Sequence, residues 1–64
     1  MRVLITLAGG ASSIEGDTPD PVTTMDKIGE LLNNTKVDFI ILDNTSYGDV
    51  VVNKSAISYI RRKQ

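Results

Sequence analysis

The residues of this 64-residue chain that are best equipped for chemistry are cationic and sit near its end: Lys54, Arg61, Arg62 and Lys63, with Tyr59 among them. An arginine fork can grip an anion through two parallel hydrogen bonds, and a tyrosine ring gives a base a face to stack on. With Arg2 from the start of the chain, Lys54, Tyr59, Arg61 and Arg62 read as contacts for a small anionic ligand, a nucleotide or a short oligonucleotide. The plainer reading of the same residues is a solvated terminus that favours solubility. The charge distribution gives the cluster weight. Up to residue 50 the chain carries only Arg2, Lys27 and Lys36 against all eight acids, whereas residues 51–64 carry four bases and no acid.

Catalysis finds little to work with. There is no His and no Cys, which removes the commonest general base, the thiol nucleophile and the usual nitrogen and sulfur ligands of zinc. Ser12 and Ser13 have no base beside them, and nothing argues for pairing a serine with Lys27 or Lys54. Asp17 and Asp20 lie beside Thr and Pro in a stretch suited to turns. The run Ala8-Gly9-Gly10-Ala11-Ser12-Ser13 lacks the Lys of a phosphate loop and the third Gly of a dinucleotide fingerprint, so it reads as a hairpin. Asp43 to Gly48 has the beginnings of a calcium loop, but Tyr47 stands where an oxygen ligand is required and Lys54 occupies the twelfth position. The chain is therefore read as a non-enzyme with no metal and no cofactor.

The elements that would position these residues follow from periodicity. Residues 2–8 alternate, with Val3, Ile5 and Leu7 on one side, which predicts a strand. Gly9-Gly10 supplies a two-residue hairpin loop. With Ala8 facing Ala11, Ile5 faces Ile14, and a second strand over about residues 11–15 results. Residues 16–20 read as a loop. A helix follows, capped by Asp20 with Pro21 in its first turn, or by Thr23 with Asp26 three residues on. Val22, Met25, Ile28, Leu31 and Leu32 form its apolar stripe, and Asn33-Asn34 ends it. Lys36–Asp43 is the clearest strand. Val37, Phe39 and Ile41 share one face, and Ile40 and Leu42 the other. Apolar residues on both faces predict a central strand, or one buried at an interface. A turn over residues 43–48 and a strand over 49–53 come next. Residues 55–61 fit a strand, with Ile57 and Tyr59 on one face, better than a last helical turn.

The predicted fold is α+β: one small ββαβββ domain spanning residues 1–64, with a bent or barrel-like, mostly antiparallel sheet and one helix. About 60 residues bury only roughly 60% of the unfolded surface. Domains of this size usually rely on a disulfide, a metal or a partner chain. Self-association into a homo-oligomer is the remaining route here, and exposed sheet edges would supply it. No apolar run approaches the ~20 residues of a membrane-spanning helix. The stretch Met1–Gly10 is too short and too interrupted for a secretory signal. The expected location is the cytoplasm, with no membrane partner.

Residues 36–62 carry the pattern Val37-Asp38-Phe39-Ile40-Ile41-Leu42-Asp43, a polar turn, Val50-Val51-Val52-Asn53 and Ile57-Ser58-Tyr59-Ile60. This resembles the C-terminal half of small β-rich proteins encoded by bacteriophages and Gram-positive mobile elements. The resemblance implies an oligomer that sequesters a nucleotide signal and so counters host defence, or one that blocks a host protein. In the second case the contact would be a strand edge or the acidic helix face around Asp26 and Glu30. Ala56-Ile57-Ser58 is also similar to the end of bacterial Sm-like RNA chaperones. That family is set aside because its helix comes first in the chain and its motif His is missing.

Overall fold

Val3 and Ile5 retain no exposed surface, and the sheet is organised around them. The computed structural model describes residues 1–10 and 12–64. Strand β1 (Arg2–Leu7) pairs with β2 (Ser13–Asp17) in an antiparallel hairpin, and Ile5 faces Ile14 as the loop length predicts. The expected facing of Ala8 and Ala11 lies outside the described residues. Strand β2 starts and ends later than predicted, and it carries Gly16 within it, buried, instead of leaving it to a loop.

On its other side β1 pairs with β5 (Ile57–Arg62), so the last stretch is a strand. A 3₁₀ turn, Lys54–Ala56, leads into it. The register slips between Thr6 and Leu7, which face Tyr59 and Ile57 in turn. Ser58 is therefore a bulge, and a bulge reverses the alternation at that point. Ile57 and Ile60 both pack on the core, while Tyr59 turns outward. The expected face shared by Ile57 and Tyr59 is corrected accordingly.

The helix α1 (Met25–Asn33) begins later than predicted. Thr24 caps it, its side chain accepting a hydrogen bond from the Lys27 backbone N–H at 3.2 Å. Neither Asp20 nor Thr23 has that role. Pro21 follows a cis peptide bond, and residues 19–22 form a turn closed by the Val22 N–H on the Pro19 carbonyl at 2.9 Å. Ile28 is the helix residue driven fully into the core, where it meets Val3, Ile5, Leu42 and Val52.

Strand β3 (Phe39–Thr45) and β4 (Gly48–Asn53) form a second hairpin around Ser46-Tyr47, tighter than the predicted turn over 43–48. The five strands lie in the order β4-β3-β2-β1-β5, all antiparallel. Strand β2 is the middle strand, and the more apolar β3 lies inside the sheet between β4 and β2. The apolar outer face of β3 is left exposed because the single helix covers only one side of the sheet: Phe39 keeps 49% of its surface and Ile41 42%.

The sheet is open, with β4 and β5 as its edges, so it does not close into the barrel that the sequence left as a possibility. It is nevertheless strongly curled. Five flat strands would hold β4 and β5 ~19 Å apart, yet Asn53 and Ile57 are joined by three residues, which reach at most ~14 Å. The core sits inside that curl, under α1.

Candidate functional site

Of the five residues expected to bind an anion, Arg2, Tyr59 and Arg61 share the outer face of the paired strands β1 and β5, whereas Lys54 and Arg62 lie elsewhere. Arg2, on the outer face of β1, is held by its own sheet. Its Nε donates to Glu15 Oε2 at 3.0 Å, its Nη1 lies 3.4 Å from Asp17 Oδ1, and the same nitrogen donates to the Asn44 carbonyl at 3.1 Å. Lys63 reaches the other Glu15 oxygen at 3.6 Å. The Arg2 hydrogen bond, helped by Lys63, holds the Glu15 carboxyl below the usual carboxylate range against the opposing effect of desolvation. Asp17 is lowered too, first by the Asn44 amide that donates to it at 3.1 Å and then by Arg2. Lys54 is at another corner, donating its ammonium to the Asn34 carbonyl just past the helix at 2.9 Å. Arg61 and Arg62, being neighbours on a strand, point to opposite sides. Arg61 shares the outer face with Tyr59, and Arg62 lies opposite Val3 on the side that carries Ile60. On the outer face, Tyr59 and Arg61 stand beside an Arg2 whose charge is already engaged by Glu15 and Asp17.

A different feature emerges where β2 stops. In the β3–β4 ladder the Lys54 N–H donates to the Asp38 carbonyl at 2.8 Å, in the register that sets Ile40 against Val52. Asp38, Ile40 and Leu42 therefore aim their backbone groups at β4, and Phe39, Ile41 and Asp43 aim theirs the other way, toward β2. Asp43 meets Asp17 there. Continued in the same register, β2 would place Pro19 opposite Ile41 and Pro21 opposite Phe39. Proline has no N–H to give to a ladder, and the chain turns away at Pro19–Val22. Among the described residues, the backbone N–H and C=O of Phe39 and Ile41 have no backbone partner on this side.

Behind this unpaired edge is a half-open cavity of about 170 Å³, walled by Leu31 of the helix and by Val22 across the gap, with the buried core residues Val3, Ile5, Ile28 and Leu42 closed behind it. Phe39 and Ile41 also border it. Their side chains point to the outer face, so the cavity reaches the free backbone edge. The walls are almost wholly apolar. A cavity of ~150 Å³ with such walls admits a benzene-sized guest. The sequence contains the signal for this slot, two prolines spaced two apart at the end of a strand, but it becomes readable only once β3 is known to be the neighbour of β2.

Among the described residues no three acidic side chains converge as metal ligands, and no helix is long and apolar enough to cross a membrane. No known family, characterised protein or solved structure matches the chain.

Proposed function

We propose that this chain is a non-catalytic binding module whose ligand is another polypeptide, taken up along a strand edge. The observation that carries the reading is the free backbone of Phe39 and Ile41 beside an apolar cavity. An extended peptide supplies main-chain hydrogen bonds to such an edge and side chains to the pocket beside it. The uncovered apolar residues Phe39, Ile41 and Val51 on the outer face add contact area next to the same edge.

A second reading, a homo-oligomer that binds a nucleotide-like anion, draws on Tyr59 and Arg61 sharing one face of β5. Salt separates the two. In about 1 M salt the screening length falls to ~3 Å, and anion binding through two exposed side chains disappears. A random-peptide display library panned against the immobilised protein should enrich extended segments that stay bound under those conditions. If no peptide enriches, and a nucleoside triphosphate binds in a way that Arg61→Ala with Arg62→Ala abolishes, the anion reading replaces this one.

A further inference from the structure

We infer that the slot between the Pro19–Val22 turn and β3 accepts a three-residue extended segment of a partner protein, with an apolar anchor at its centre and Lys or Arg flanking it. This rests on the polypeptide-binding reading above and assigns its site and its ligand chemistry.

The register dictates the arrangement. A segment lying alongside β3 exchanges hydrogen bonds with Phe39 and Ile41, the two residues whose backbone groups face the gap. Its outer two residues therefore point to the open face, beside the Phe39 and Ile41 side chains. Its central residue faces Ile40, whose buried side chain lies on the helix side. That central side chain enters the cavity between Ile28, Leu31 and Val22. The volume of about 170 Å³ suits Leu, Ile, Met or Phe. Charge settles the flanks. Asp43 marks one end of the slot and Asp20 stands on the facing turn, neither with an ion pair among the described residues, while Asp38, which precedes the other end, has Lys54 opposite it in the β3–β4 ladder. Basic residues just beyond the three-residue segment are therefore attracted and acidic ones repelled.

The segment comes from a different protein and not from a second copy. The slot is bounded by a turn of the chain, so it admits a loose extended segment but not the edge of a folded sheet. Among the described residues, every strand of this chain is already paired within its own sheet.

The probe is the synthetic peptide Lys-Lys-Val-Leu-Val-Lys-Lys, titrated into the full chain with amide hydrogen exchange followed residue by residue. The expected result is saturable binding that slows exchange at Phe39 and Ile41 by tenfold or more. Changing the central Leu to Ala should weaken binding roughly tenfold or more, since a buried Leu side chain makes a contribution of that order. Methylating the two peptide nitrogens that face β3 should abolish binding without touching the protein. Ile41→Pro deletes one slot donor while sparing the β4 ladder, and it should bind at least tenfold more weakly. If this variant does not fold, the methylated peptide still decides the matter. Protection confined to β4 or β5 would overturn the slot and leave polypeptide binding standing. Equal binding by the methylated peptide would also overturn the slot. Absence of binding by this peptide, together with no enrichment from the library, would overturn both.

Discussion

Gly16→Ala tests whether β2 and β3 approach as closely as described. A Cβ at this position would lie 2.7 Å from Thr45 Cγ2, 3.0 Å from the Asp43 carbonyl oxygen and 3.2 Å from Leu42 Cβ. Ordinary contact begins near 3.4 Å, and the Asp43 oxygen belongs to backbone fixed in the sheet. Inserting a methyl into such a site costs about 1–3 kcal/mol. Opposing this, Ala in place of Gly restricts the unfolded chain and contributes about 0.4–1 kcal/mol of stability. The net expectation is a loss of about 1–2 kcal/mol. A domain of this length has only ~3–10 kcal/mol in all, and its melting temperature should fall by roughly 4–8 °C per kcal/mol. Thermal and urea unfolding followed by circular dichroism give the number. The cause can be isolated with Thr45→Ser, which removes the nearest clashing atom and keeps the hydroxyl that bonds the Gly48 carbonyl. The double variant should recover at least ~0.5 kcal/mol relative to additivity. A Gly16→Ala protein as stable as the parent, or a double variant with no coupling, would refute the close approach.

Three further outcomes are expected. Thr24→Ala removes the helix cap and should cost about 1 kcal/mol, read as a lower urea midpoint with unchanged slope. Acid should destabilise the fold through Glu15 and Asp17. Both carboxyls have lowered values in the folded chain, so their contribution is complete above the ordinary carboxylate range of about 4. It is lost as pH falls through the lower folded values; melting temperatures of the parent and of Glu15→Gln with Asp17→Asn should converge at low pH. Leu42→Ala opens a hole beneath α1 at a residue with no exposed surface. It should cost about 2–5 kcal/mol, read by circular dichroism as a much lower urea midpoint and melting temperature.

Much of this architecture is written in local patterns. Gly9-Gly10 and the match of Ile5 with Ile14 specify the first hairpin, and the same counting sets Arg2 opposite Asp17. The ion network is therefore within reach of the sequence, and it shows why Arg2, although on the same face as Tyr59 and Arg61, is occupied by acids of its own sheet. Strand periodicity alone also separates Arg61 from Arg62. Other features depend on tertiary context. The Ser58 bulge has no marker of its own and is set by the fit of Ile57 and Ile60 against the core. The helix start was misplaced because Asp20, Thr23 and Thr24 are all competent caps, and the Pro19–Val22 turn decides among them. Strand β3 lies inside the sheet, but its outer face is not buried within the chain: apolar residues on both faces do not reveal whether a second layer exists to cover one of them. The slot needs strand order, which no local pattern carries.

The pairing of β1 with β5 has a topological consequence. The Lys63 N–H reaches the Arg2 carbonyl at 2.9 Å, so the first and last residues of the chain meet at one corner. A short glycine-serine bridge from Gln64 to Met1 would make the backbone a ring without disturbing a ladder. That ring could then be severed at Ser46-Tyr47, an exposed loop tip of the kind that tolerates new termini. The same five strands would reappear in a permuted order of synthesis, with β4 first and β3 last.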